Sequence, residues 1–303
     1  MTTVRHPQLR LGTAPDSWGI WFADDPAQLP WDRYLDEARK AGYALTELGP
    51  YGYLPSDPGR LGEELARRSL TLTGGTVSGA LHRGPLALAD AKAECAREAS
   101  TLTPLGARFV VLLPEGYTEA DGSLNQPRTL SAEQWTTLND GASQLGGYVR
   151  DDLGLELVVH PHADTHIGSQ LEIERFLDGT DPDTVHLCLD TGHVSYCGGD
   201  NLALIAAYGS RIRYVHLKSV DPTIRRRVLD QGLDFGAAVR LGAMVEPPAG
   251  EPEMPAILEA LAGLGRELFC IVEQDLYPCP PDVPLPIATR TRAYYEAQGL
   301  RPD

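Results

Sequence analysis

Arg108-Phe-Val-Val-Leu-Leu113 is an almost unbroken apolar run, stopped at Pro114. Runs of this kind suit parallel strands that are covered on both faces by helices. The same signature recurs along the chain. Leu9–Ala14 and Tyr43–Leu48 precede it, and Leu70–Thr73 leads into glycines around Gly74 and Gly75. Leu155–His160, Val185–Asp190, Ile212–Leu217 and Leu268–Glu273 follow it. Between the runs lie helical patterns. Trp31, Tyr34, Leu35 and Ala38 share one face, and Ala91, Cys95, Ala99 and Leu102 another. Ser131-Ala-Glu-Gln134 is a capping box that opens a helix reaching about Asp151. Further helices are predicted over 58–69, 171–177, 201–208, 254–264 and 287–298. The segment 117–128 reads as a loop, 221–253 as mixed structure, and 277–286 as a wrapping loop.

Eight strand–helix units in strict alternation imply a parallel sheet with right-handed crossovers. Eight such units in 303 residues favour a closed (β/α)8 TIM barrel over an open doubly wound sheet, with residues 1–303 as one domain. No GxGxxG follows the first strand, which removes the main support for a dinucleotide-binding sheet.

Composition narrows the function. Asp plus Glu number 42 against 26 Lys plus Arg, a net charge of −16. Such a chain repels phosphate backbones and anionic lipid, so neither nucleic acid nor a membrane is expected as a partner. Residues 1–10 carry Arg5, His6, Pro7 and Arg10 without an apolar core, unlike a signal peptide. The five cysteines are scattered and form no CxxC pair, which suits reduced thiols in the cytoplasm.

In a barrel of this class the active site lies at the C-terminal ends of the strands. Four successive runs end in metal-capable residues: His160-Pro-His162, Asp190-Thr-Gly-His193, His216-Leu-Lys218 and Glu273-Gln-Asp275. Alternation along a strand puts His160 with His162, His216 with Lys218, and Glu273 with Asp275 on shared faces. Two imidazoles and two carboxylates, from His160, Asp190, His216 and Glu273, suit one divalent ion. Mn2+ or Co2+ leads the candidates, ahead of Zn2+, Fe2+ or Mg2+.

Leu187-Cys-Leu-Asp-Thr-Gly-His193, Tyr214-Val-His-Leu-Lys218 and Cys270-Ile-Val-Glu-Gln-Asp275 resemble the metal-site signatures of the xylose-isomerase-like TIM-barrel superfamily. Gly12-Thr-Ala-Pro-Asp-Ser-Trp-Gly19, Glu47-Leu-Gly-Pro-Tyr-Gly-Tyr-Leu-Pro55 and His160-Pro-His162 resemble its inosose (2-keto-myo-inositol) dehydratase branch. The resemblance implies a ligand at each of His160, Asp190, His216 and Glu273. Position 160 departs from the family's commoner glutamate. That departure breaks the two-carboxylate pair which epimerases use for proton removal on one face and return on the other. A lyase acting on an inosose or similar polyol ketone is therefore the expected activity. A sugar or ketose isomerase or epimerase is the alternative, and a non-catalytic sugar-binding protein a lesser one. Lys218, His193 and Glu273 are the expected catalytic groups. His162, Glu47 and Trp18 are the expected substrate contacts. The expected partner is a small polyol or sugar, with homo-oligomerisation left open.

Overall fold

The computed structural model describes residues 5–119 and 122–301. Residues 1–4 of the segment read as free of a leader, and 120–121 of the long loop, lie outside them. In chain order the early strands are β1 His6–Thr13, β2 Leu45–Thr46, β3 Thr71–Leu72, β4 Gly74–Gly79 and β5 Phe109–Pro114. They are followed by β6 Glu156–Val159, β7 Val185–Asp190, β8 Ile212–Leu217, β9 Ser219–Val220, β10 Met244–Val245, β11 Leu268–Val272 and β12 Leu300–Arg301. The first helices are α1 Trp31–Ala41, α2 Pro58–Arg67, α3 Pro85–Leu102, α4 Ala132–Asp151 and α5 Gln170–Gly179. The later ones are α6 Thr191–Tyr196, α7 Asn201–Tyr208, α8 Pro222–Gln231, α9 Phe235–Arg240, α10 Met254–Ala262 and α11 Pro284–Ala297.

The parallel pairing runs β3-β2-β1-β11-β8-β7-β6-β5-β4. One residue, Thr73, separates β3 from β4. Its N–H donates to the Thr46 carbonyl, and its own carbonyl accepts from Arg108 N–H. The segment 71–79 thus pairs with β2 at one end and β5 at the other, which closes an eight-membered ring. This is the (β/α)8 TIM barrel expected from the alternation of elements. The interior is filled by Leu45, Phe109, Val111, Val158, Cys188, Tyr214, Phe269 and Ile271. A larger apolar layer lies between the strands and the surrounding helices. The five cysteines are all unpaired. No described helix is long and apolar enough to cross a membrane.

Local signals account for many of the boundaries. Ser131 and Gln134 form both arms of the capping box at α4. Ser169 and Glu172 do the same at α5. The mixed region 221–253 resolves into α8, α9 and β10, and β10 pairs antiparallel with β9 just before the region. Its apolar residues pack together with Ala163 and Tyr196 rather than joining the barrel core.

One buried polar group stands out in the helix layer. The Glu98 carboxyl on α3 is 1% exposed, and its Oε2 has no hydrogen-bond partner. Gly75 makes room for it, since a Cβ there would lie 2.6 Å from that oxygen. Burial pushes the Glu98 carboxyl up to about 8, with Arg97 opposing and Glu94 assisting. Between the ordinary glutamate range and that value, the folded chain holds a proton that the unfolded chain has released. Stability therefore falls as pH rises through this window and levels off above it. Glu98→Gln is expected to remove that slope and to stabilise the protein at pH 8 by on the order of a few kcal/mol. Thermal melts of both proteins from pH 5 to 9 check it.

Candidate metal and substrate site

Strand register brings the site together. Asp190 on β7 and His216 on β8 are direct cross-strand partners. Glu273 follows β11, with its N–H donating to the Leu217 carbonyl. His160 follows β6, with its N–H donating to the Leu112 carbonyl. One donor atom from each of His160, Asp190, His216 and Glu273 lies within 4.8 Å of the others. Metal–ligand bonds of about 2.0–2.3 Å put ligand atoms roughly 3–4.5 Å apart, so this spread suits one shared ion.

The donor chemistry also fits. His216 Nδ1 is buried without a hydrogen bond, 3.0 Å from a Glu273 oxygen and 3.9 Å from Asp190. Its other nitrogen, Nε2, lies 2.8 Å from Glu47 Oε1. A ring held by a carboxylate on one side, with a free nitrogen on the other, is how proteins orient an imidazole ligand. His160 Nε2 stands 3.1 Å from Asp190 Oδ2. Burial works to raise Asp190 and Glu273, yet positive neighbours outweigh it. The Lys218 ammonium and the hydrogen bond with His160 hold Asp190 well below the usual carboxylate range, and His216 and Lys218 do so for Glu273. Both therefore present anionic oxygens.

The Asp190-Thr-Gly-His193 turn has a separate task at each position. Asp190 Oδ1 accepts the His193 N–H at 2.7 Å and caps α6. The Thr191 hydroxyl accepts the Lys218 N–H at 2.9 Å and lies 2.8 Å from the Lys218 carbonyl. Gly192 leaves the lane for the lysine stem, because a Cβ there would sit 2.5 Å from Lys218 Cγ. His193 ends the lane, with Nε2 3.3 Å from Lys218 Nζ.

Lys218 points inward and is 2% exposed. Its ammonium lies 2.8 Å from Asp275, 3.1 Å from Glu273 and 3.4 Å from Asp190. Burial lowers its pKa, but the three carboxylates outweigh burial and hold it well above the lysine range. His193 goes the other way: burial, then the neighbouring His162 and Lys218, keep its imidazole neutral. Its Nδ1 faces the Ala163 N–H at 3.3 Å, which places the ring proton on Nε2, toward Lys218. His162 lies against His193 at 3.8 Å between ring centres, and both rings contact Phe235.

One expected substrate contact, Trp18, sits elsewhere, and another, Glu47, is already engaged. Trp18 is 1% exposed, its indole N–H donates to Glu37, and its ring meets Tyr34 edge-on, so it belongs to the core and not to the sugar. The indole that lines the cavity is Trp21, three residues on. Nothing in the spacing distinguished the two tryptophans: the 3-10 turn Pro15–Trp18 ends at the buried one, and the left-handed Gly19 after it turns the chain before Trp21. Glu47 does line the cavity, but its carboxylate is engaged with His216. Glu47→Gln is accordingly expected to weaken divalent-ion affinity about 10–100-fold, the usual effect of losing an orienting partner. Competition with a chromophoric chelator checks it. Sequence reasoning also missed Asp16, whose Oδ1 accepts the Trp21 indole N–H.

The profile of the xylose isomerase-like TIM barrel matches residues 35–280. An inosose dehydratase of Geobacillus thermodenitrificans (strain NG80-2) is 29% identical over 303 residues, covering 97% of this chain and 98% of that one. An inosose dehydratase of Geobacillus kaustophilus (strain HTA426) is 31% identical over 283 residues, covering 89% and 88%. The crystal structure of IolI protein with a bound zinc atom superposes with a TM-score of 0.72 at 17% identity, covering 96% of this chain and 98% of that one. The chain belongs to the xylose isomerase-like TIM-barrel family.

Proposed function

We propose that this protein is a divalent-metal-dependent dehydratase acting on an inosose or a similar polyol ketone, with residues 1–303 as one cytoplasmic barrel domain. The observation that carries the reading is the buried Lys218 ammonium, 3.1 Å from Glu273 and lining the cavity over the four-residue cluster. The names of the full-length relatives agree with it.

His160, Asp190, His216 and Glu273 would hold the ion, with Mn2+ or Co2+ preferred. When bound, the ion polarises the ketone and stabilises negative charge developing on oxygen. The remaining work falls to side chains of this chain. Dehydration needs a base for the proton alpha to the ketone and an acid for the departing beta hydroxyl, which leaves as water. Glu273, an anionic carboxylate that lines the cavity, is placed to take the alpha proton, and the Lys218 ammonium 3.1 Å from it to give a proton to the departing hydroxyl, while His193 backs the lysine from behind. His162, packed against His193 and lining the cavity, is placed to contact a substrate hydroxyl. Phe235 over both rings keeps water from that corner. Position 160 carries an imidazole, 3.1 Å from Asp190 Oδ2, where a two-face proton transfer would need a second carboxylate to oppose Glu273. That arrangement lacks the opposed carboxylate pair of a two-face proton transfer.

The test is product mass. Metal-loaded protein incubated with 2-keto-myo-inositol is expected to yield a product lighter by one water, with a new ultraviolet absorbance. Repeating the reaction in D2O separates the alternative. An epimer carrying solvent deuterium, with every hydroxyl retained, overturns the dehydratase reading.

A further inference from the structure

The cavity over the cluster has a volume of about 690 Å3. That is in the range that accepts drug-sized ligands, well beyond one six-carbon ring. Its rim carries three aromatic side chains from two loops. The Trp21 and Tyr277 rings stack at 5.0 Å and 26°, and Phe22 meets Tyr277 edge-on at 5.3 Å. All three line the cavity. Phe22 is 49% exposed, whereas the metal-capable residues below are buried. The shelf therefore lies outward of the cluster.

Exposed aromatic side chains on a loop are ordinarily mobile. These are tied down from several directions. Gln28 Oε1 accepts the backbone N–H groups of Trp21 and Phe22 at 2.7 and 3.0 Å, and Gln28 Nε2 donates to the Phe22 carbonyl at 2.7 Å. The Trp21 indole N–H donates to Asp16 Oδ1 at 2.6 Å, and the Tyr277 hydroxyl donates to Asp25 Oδ2 at 2.8 Å. A preorganised apolar surface costs little entropy when a ligand settles on it. A pyranose or cyclitol ring suits such a surface, because its C–H face is apolar while its hydroxyls point outward.

We propose that Trp21, Phe22 and Tyr277 form a second subsite, which takes a second ring of a glycosylated polyol while the first ring sits at the cluster. The inference rests on the polyol reading above and extends its substrate class from a single ring to a glycoside.

The experiment compares myo-inositol with galactosyl-myo-inositol by calorimetric titration into the Mn2+-loaded protein. The glycoside is expected to bind at least tenfold more tightly. Trp21→Ala is expected to bring the ratio of the two affinities near one, and Phe22→Ala to lower it about threefold. Phe22→Ala alters a half-exposed side chain and keeps the test open if Trp21→Ala fails to fold. Equal affinities in the unaltered protein, or a ratio that survives both substitutions, overturn the subsite while leaving the polyol reading in place. If neither compound binds, the subsite is overturned, and turnover of 2-keto-myo-inositol decides the polyol-ketone reading separately. If the substitutions instead split an oligomer in sedimentation, the shelf is a contact between copies and the subsite is overturned.

Discussion

Asp190→Asn is expected to empty the site of metal and to lower turnover by at least about 10^3, since Lewis-acid stabilisation supplies several kcal/mol. Asparagine is the informative choice. Asp190 uses Oδ1 to cap α6 and Oδ2 to face His160, His216 and Lys218. Alanine would lose the cap as well, at a cost of about 1 kcal/mol. Asparagine keeps an oxygen for the His193 N–H and puts an uncharged amide NH2, which cannot ligate a metal, in place of the oxygen that faces the cluster. Barrel-mouth residues serve function more than stability, so the fold is expected to persist. Elemental analysis of the purified variant and its circular dichroism melt check the two halves. Full metal occupancy in the variant would remove Asp190 from the ligand set.

Lys218→Met is expected to cut turnover by about 10^2–10^4, the span for one acid–base group. Methionine is unbranched and can follow the lane that Gly192 leaves open. Metal content is expected to stay near that of the unaltered protein. Stability carries a second readout. In the metal-free variant, Asp190, Glu273 and Asp275 would face one another without the ammonium that now lies within 3.4 Å of each. Breaking a buried pair by removing one partner costs about 3–5 kcal/mol. The melting point should therefore fall in the metal-free variant and recover in large part on adding a divalent ion. Unchanged turnover would show that Lys218 has no part in the chemistry.

The barrel was readable because its evidence is periodic and local. Val185–Asp190, Ile212–Leu217 and Asn201–Tyr208 coincide with β7, β8 and α7 to the residue. Continuous burial on both sheet faces writes itself into the sequence as an apolar run, and a capping box writes a helix start. Two elements were harder. β2 is only two residues long, though a strand was expected over 43–48, because the edges of that run bond through isolated contacts. α6 is wholly buried and follows its strand without a break, so it shows no polar face to reveal a helix. Partners distant in sequence were harder still. His216 and Glu47 are 169 residues apart, and no pattern along the chain couples them. The four-residue cluster was legible for a different reason: each member stands at the same point of a repeated unit.

The glycines of β4 have a consequence for how this chain can change. Strand segment 74–79, Gly-Gly-Thr-Val-Ser-Gly, contributes no titratable side chain, and β5 beside it contributes none either. The four metal-capable residues and the Lys218–His193 pair all come from the opposite arc, β6, β7, β8 and β11. The arc of β4 and β5 thus helps to enclose the cavity without supplying any of the reactive groups. Thr76, Ser78 and Leu113 line the cavity from the unreactive arc. Enlarging or polarising those three positions would redraw the shape a ligand must match without moving an atom of the reactive set. A library randomised there can search for new substrates while metal affinity and proton transfer are inherited intact, and natural divergence has the same freedom.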